Sequence, residues 1–297
     1  MTSTTTEVMD NPRAERVKAV ARLANRKGRE NSGQFLVEGP QAVREALRSH
    51  GAGRDIIRAV YTVPGFIESH PEFDQLLRQA HVTARLVTGE VLLAMADTQS
   101  PQGILAVVSM HQPELSEVLG TKPQLIAVLC RVQDPGNAGT ILRAADAAGA
   151  DAVVLTKGSV DIYNPKAVRS TVGSLFHLPV LSNIEFDHLV AAAKTSDIQV
   201  LAADGYAAHN LDALQDQAVL RAHNPGASAL EDDAPVLEAP SMWLFGNEGQ
   251  GLDEQEKARA DYRVAVPLYG VAESLNVGTA ATVCLYGSAR AQHVAKA

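Results

Sequence analysis

The chain has 297 residues and a formal net charge of −8, with 46% apolar, 20% charged and only 4% aromatic residues. That balance supplies a buried core, excludes global disorder, and fits one large domain or two ordinary ones. Scarce aromatics beside plentiful Ala and Val favour helices packed on a parallel sheet over an aromatic-rich β-sandwich. Cys130 and Cys284 lie in apolar runs and make no CxxC pair, so neither a disulfide framework nor a zinc cage is expected. The start, MTSTTTEVMDNPRAERVK, has no apolar h-region, and no 18-residue apolar stretch follows. A cytoplasmic setting is therefore expected.

The distribution of charge says more than its sum. Arg13, Arg16, Lys18, Arg22, Arg26, Lys27 and Arg29 face only Glu15 and Glu30 between Asn11 and Glu30, a local basic run. It reads either as a solvated helix or as an RNA contact. Between Asp204 and Pro240 there are seven acids and the single base Arg221, so much of the acidic excess comes from one stretch.

In chain order, residues 1–30 form a basic extension ending in the helical pattern VKAVARLANRKGRE. Residues 31–110 then alternate strands (QFLVEG, DIIRAVYTV, ARLVT, GILAVVSM) with helices (PQAVREALRSHG, PEFDQLLRQA, VLLAMADTQ), a small α/β domain. HQPELSEVLGTKPQ has two prolines and little periodicity, and places a linker at 111–122. From 123 to 297 the pattern is a longer α/β domain: LIAVLC, then helix from Thr140, DAVVLT, a helix around Lys166–Leu175, VLSN, FDHLVAAAKT and IQVLAAD. An acidic interruption at about 206–240 precedes SMWLFG, DEQEKARA, YRVAVP and a final helix through ATVCLYGSARAQ. Such alternation indicates a parallel sheet covered on both faces.

Ligands in open parallel sheets bind beyond the carboxyl ends of strands, and three loops of the second domain stand there. QDPGNAGTILRAADAAGA is Gly-rich but is not GxGxxG, and its helix carries Arg143. LFGNEGQGL sets Glu248 among three glycines without the GK[ST] of a phosphate-binding loop. VPLYGVAESLNVGTAATVCLY brings Ser274 and Asn276 to a helix start. Alone, each has an ordinary explanation: a strand-to-helix turn with a surface arginine, a helix-capping carboxylate, and an N-cap serine. The histidines show no HxH or HExxH spacing, so no catalytic metal is expected.

Together, DPGNAGTILRAADAAGA, LFGNEGQGL and VPLYGVAESLNVGTAA closely resemble the three signature motifs of the SpoU (TrmH-like) class of SPOUT RNA methyltransferases. The likeness covers residues 123–297. Residues 31–110, from FLVEGPQAV to SPQGILAVV, resemble the L30e-like substrate-binding domain that often precedes this catalytic domain. Cys130 and Arg131 depart from the acidic and small residues usual before the first motif, and the acidic insertion is a second departure.

The resemblance implies an α/β fold with a deep C-terminal trefoil knot, which general topology rules would not suggest. It implies S-adenosyl-L-methionine as cofactor, held at Gly246, Val266 and Leu275, and methyl transfer to a ribose 2′-hydroxyl. Asn137, Arg143, Glu248, Ser274 and Asn276 are the matching catalytic positions, and Arg169 matches a basic position near the target phosphate that also suits a surface residue. A guanidinium keeps its proton, so Arg143 is read as stabilising the developing oxygen charge, with a phosphate oxygen as proton acceptor. Asn137 would hold the first loop, Glu248 would orient the site, and Ser274 and Asn276 would position substrate and cofactor. Relatives are homodimers joined through the knot, and the final helix offers Ala280, Ala281, Cys284 and Leu285 for such an interface. Ribosomal RNA is the expected substrate, 23S above all; tRNA, or a catalytically silent RNA-binding role, are the alternatives.

Overall fold

The computed structural model describes residues 7–223 and 234–294. It divides into two units: the residues through His111 with Asp161–His177, and Gln112–Val160 with the residues from Leu178 onward.

The first unit has strands β1 (Gln34–Glu38), β2 (Ile57–Thr62), β3 (Ala84–Leu86) and β4 (Ile104–Ser109), in the sheet order β1-β4-β2-β3. β4 pairs antiparallel with both neighbours, whereas β2 and β3 run parallel. The basic run is not one helix. Glu15–Ala21 and Arg26–Ser32 are separated by a 3₁₀ turn at Arg22–Ala24, and the Asn25 side chain caps the second helix by accepting from the Gly28 N–H at 2.9 Å. One member of that run is not solvated at all. Arg29 is 2% exposed, donates to the carbonyls of Leu23 and Ala24, and pairs with Asp161 at 2.7 Å.

Asp161–His177, assigned by sequence to the C-terminal domain, packs instead within this first unit. Tyr163 lies against Phe35 with ring centroids 4.7 Å apart, its hydroxyl donates to the His111 carbonyl, and Phe176 stacks on the same Phe35. The sequence shows only a helix between two strands here; what it packs against is a tertiary choice.

The second unit has strands β5 (Leu125–Leu129), β6 (Ala152–Thr156), β7 (Val180–Ile184), β8 (Gln199–Ala203), β9 (His209–Asn210), β10 (Ser241–Phe245) and β11 (Tyr262–Ala265). The sheet order is β7-β6-β5-β10-β8-β11-β9, and every neighbouring pair is parallel. β5, β6 and β10 are buried along their whole length, as strands covered on both faces must be. One face packs Ile126, Val128, Val154, Val200 and Met242 against Leu189, Val190 and Ala193.

The expected linker is not one. Within 111–122, Leu115–Gly120 is a helix closed by a capping box of Glu114 and Glu117, and Leu115, Val118 and Leu119 enter the same core. The two flanking prolines hid a helix that is only six residues long. Within the acidic interruption, β9 and the helix Leu211–His223 appear; residues 224–233 of that segment lie outside the described residues.

The final helix, Val277–Val294, lies on the sheet: the Trp243 indole donates to the Ser288 hydroxyl at 2.9 Å, and Gln292 donates to the Gln124 carbonyl at 2.8 Å. Ala281, Cys284 and Leu285 are fully buried in this unit, so they are not free for a subunit interface. Burial also pushes the Cys284 thiol well above its ordinary pKa, leaving it inert. The exposed stripe of the helix is instead Thr279, Val283, Tyr286 and Arg290.

Candidate active site

The order of the sheet brings β5 and β10 side by side, so the loops that follow them leave the sheet together. After β5 the chain turns at Arg131, and Asp134 caps the helix Pro135–Ala147 by accepting from the Asn137 N–H at 2.9 Å. Pro135 occupies the first helical position, where a missing N–H is harmless. After β10, Asn247 and Gly251 exchange backbone hydrogen bonds of 3.0 and 2.8 Å, closing a tight loop. After β11, residues 268–276 form an exposed segment that ends at Asn276. Asn276, not Ser274, caps the final helix, its Oδ1 accepting from Gly278 N at 2.8 Å.

Three of the residues expected to act together do meet. Glu248 accepts from the backbone N–H groups of Gln133 and Asp134, at 3.1 and 3.0 Å, and from Asn137 Nδ2 at 3.1 Å. Asn137 Oδ1 in turn accepts from Asn276 Nδ2 at 3.0 Å. One hydrogen-bonded chain therefore links all three loops. Burial opposes the charge on Glu248, but the N–H of Asp134, its own N–H, that of Gln133 and the Asn137 amide outweigh it and hold the carboxyl below the ordinary range.

A cleft of about 370 Å³ opens at the carboxyl ends of β8, β10 and β11, within the roughly 300–1,000 Å³ typical of small-molecule sites. Gly246, Val266 and Leu275 line it, as do Glu248 and Ser274. Phe245, Leu252 and Val264 supply apolar wall, and Gly246 to Gly251 of the loop after β10 line one side. A lining that mixes apolar and polar residues at this size suits a small organic ligand.

Gly246 has a reason beyond the ligand. A Cβ there would lie 2.1 Å from the Gly251 carbonyl carbon and 2.2 Å from Leu252 N. The absent side chain lets the loop close on itself.

Arg143 and Arg169 stand apart from this cluster. Arg143 is on the exposed face of Pro135–Ala147, level with Thr140 and Ala147, and is not part of the cleft wall. Arg169 belongs to the first unit, where it pairs with Glu38 and, at 3.0 Å, with Asp97. Two carboxylates already neutralise it, and Glu38 also accepts from the Asp97 N–H at 2.7 Å.

Sequence reasoning missed two contributors. Asn247 donates to the Arg131 carbonyl at 3.1 Å and accepts from Gly249 N at 2.9 Å, shaping the loop between two singled-out neighbours. The turn after β8 supplies a fourth wall: Asp204, Gly205 and Tyr206 line the cleft, with Asp204 held by Arg263 at 2.8 Å. Only the position of that turn after a strand signalled it.

Residues 124–286 match the family described as SpoU rRNA Methylase, and residues 14–106 match the MRM3-like substrate binding domain. The 23S rRNA (guanosine(2553)-2′-O)-methyltransferase RlmP of Bacillus subtilis is 34% identical over 283 residues, spanning 94% of this chain and 97% of that protein. The 23S rRNA (uridine(2479)-2′-O)-methyltransferase of Streptomyces viridochromogenes is 29% identical, spanning 91% and 87%. A crystal structure of an RNA 2′-O ribose methyltransferase superposes with a TM-score of 0.73 at 29% identity, covering 97% of this chain and 99% of that one. The SpoU methyltransferase AviRb from Streptomyces viridochromogenes, solved in complex with the cofactor AdoMet, superposes with 0.73 at 26% identity, covering 93% and 98%.

Proposed function

Because the chain belongs to the SpoU rRNA methylase family, we infer that its cleft holds S-adenosyl-L-methionine and that it methylates ribosomal RNA. It is an S-adenosyl-L-methionine-dependent RNA (ribose-2′-O) methyltransferase with an SPOUT-type α/β catalytic unit and a smaller N-terminal unit. The observation that carries this reading is the Glu248–Asn137–Asn276 chain, which joins the three motif loops beside the cleft.

The bound cofactor supplies an activated methyl group. What remains for the protein is orientation and electrostatics. Gly246, Val266 and Leu275 are proposed to hold the cofactor, and Ser274 to position reacting groups at the cleft. Asn137 and Asn276 fix the first and third loops on Glu248. Arg143 is assigned to the developing charge on the 2′-oxygen, since a guanidinium donates and does not accept protons. Arg169 is assigned to holding the first unit together through Glu38 and Asp97, in place of the RNA contact that the sequence allowed.

The same reading makes the protein a homodimer. Arg143 lies outside the cleft wall of its own chain but on an exposed face, which supports its serving a partner's cleft. Thr140, Arg143 and Ala147 lie on one exposed face, and Thr279, Val283, Tyr286 and Arg290 on that of the adjoining helix, its Tyr286 hydroxyl donating to the Ala147 carbonyl. The trefoil knot belongs to this reading too. It is supported by the path of the chain, which passes β11 at the far side of β8 and then returns to the Pro135–Ala147 helix. We place the protein in the cytoplasm with its RNA substrate, in keeping with two buried, unpaired cysteines.

Mapping 2′-O-methylated riboses in RNA from cells with and without the protein tests the assignment. Loss of a 23S rRNA methylation is expected. An unchanged rRNA map, or a loss confined to tRNA, would overturn the substrate. For the dimer, an Arg143→Ala chain is mixed with a Leu275→Arg chain, each inactive alone. Shared sites predict recovery of about a quarter of wild-type activity, because half of the dimers are mixed and each has one intact site. No recovery would contradict sharing.

A further inference from the structure

Position 131 is occupied by an arginine whose backbone lies in the left-handed region, φ 56°. That conformation suits glycine or asparagine and is strained for a long side chain. Strain of this kind persists only where the surroundings impose it, and it concentrates at functional sites.

The surroundings here are specific. The Arg131 guanidinium makes a bidentate pair with Glu256, Nε to Oε1 at 3.0 Å and Nη2 to Oε2 at 2.7 Å, and Nη2 lies 3.3 Å from Asp253. The Glu256 side chain is only 6% exposed, so the fork meets a carboxylate largely removed from water. Glu256 is also the third residue of the helix Glu254–Arg259 and completes its capping box with Asp253. Meanwhile the Arg131 carbonyl accepts from Asn247 Nδ2 at 3.1 Å. One residue thus grips the motif 2 segment at both ends: through its carbonyl where the loop leaves β10, and through its guanidinium at the helix where it ends. Between those grips lie Glu248 to Leu252, a wall of the cleft, and Lys257 on the gripped helix lines it as well.

We propose that the Arg131–Glu256 clasp sets the width of the cofactor cleft, making Arg131 a positioning residue for S-adenosyl-L-methionine. The proposal rests on the reading of that cleft as the cofactor site. It explains why an arginine stands at a backbone position that favours a small residue: a glycine there would relax the chain and release the helix.

The test is calorimetric titration of S-adenosyl-L-methionine into the full-length protein and into Arg131→Gly, Arg131→Lys and Glu256→Gln, with thermal unfolding of each. Arg131→Gly should bind about tenfold more weakly while remaining folded, because it removes strain as well as the pair. Glu256→Gln keeps an oxygen for the cap but breaks the fork, and should match it. Arg131→Lys lacks the planar fork and should recover little. The double variant should be no worse than either single one, since both remove the same clasp. In steady-state methylation the cofactor KM should rise with kcat retained, whereas general loss of structure would lower kcat through the active fraction. Unaltered affinity in a folded Arg131→Gly would overturn the clasp. Absence of binding by the unsubstituted protein would instead overturn the cofactor reading itself.

Discussion

Asn137 donates to Glu248 and accepts from Asn276, so a single amide stands between the second and third motif loops. The orientation of that amide is forced. A carboxylate only accepts at neutral pH, so the nitrogen must face Glu248 and the oxygen is left for Asn276.

Substitution at Asn137 therefore has an order of severity that size alone would not give. Asn137→Asp is isosteric and keeps the acceptor for Asn276, but it sets a second carboxylate against Glu248, where the donor distance is now 3.1 Å. Asn137→Ala only removes the link. We expect the aspartate to lower methyl transfer more than the alanine does, by roughly tenfold. Its activity should recover in part as pH falls toward the carboxylate range. Single-turnover rates between pH 5 and 8 measure this.

Glu248 makes the site acid-labile. Its folded pKa is lowered by the N–H groups around it, so its stabilisation is complete above the ordinary glutamate value of about 4.3 and is lost as pH falls through the folded value. Cofactor affinity should therefore be insensitive to this group from pH 5 upward and should fall in stronger acid. In Glu248→Gln that acid step should vanish. Because the side chain is exposed, the effect on global stability is small; the affinity, measured by calorimetry, is the informative readout.

Gly246→Val is expected to fail for a steric reason. Its Cβ would sit 2.1 Å from the Gly251 carbonyl carbon, and backbone cannot yield as a flexible side chain can. A side chain that only blocked the cofactor would leave the protein's stability intact; here the loop itself must open, at a cost of at least ~1–3 kcal/mol. Even Gly246→Ala should lower the melting temperature by several degrees and weaken cofactor binding together. Binding lost with an unshifted melting temperature would mean that the side chain only blocks the cofactor.

The second unit was legible because its strands are buried on both faces and read as unbroken apolar runs, LIAVLC and SMWLFG among them. The helix after the β10 loop announced itself by Asp253, whereas the helix after β5 begins at Pro135, a turn ahead of the Thr140 start that the sequence suggested. What stayed hidden was tertiary. Leu211–His223 buries only Leu211, Leu214 and Ala218, so it shows no strong stripe. The helix Leu115–Gly120 was masked by prolines on both sides. Arg29 and Arg169 look like surface bases in the sequence, yet each is engaged by a carboxylate of its own unit. The motif residues could be placed at loop positions from their spacing, but the Asn137 bridge and the Arg131–Glu256 pair span more than 100 residues and needed coordinates.

The most direct test of the catalytic assignment is Arg143, exposed on its helix and outside its own chain's cleft. Single-turnover methyl transfer to 23S rRNA from cells lacking the protein should be measured beside calorimetric S-adenosyl-L-methionine affinity. Arg143→Ala should transfer about 10²–10³ times more slowly with cofactor affinity unchanged, as expected for removal of one donor to transition-state charge. Arg143→Lys should restore little, because it keeps the charge but loses the planar fork. Near-normal transfer by Arg143→Ala would contradict the assignment.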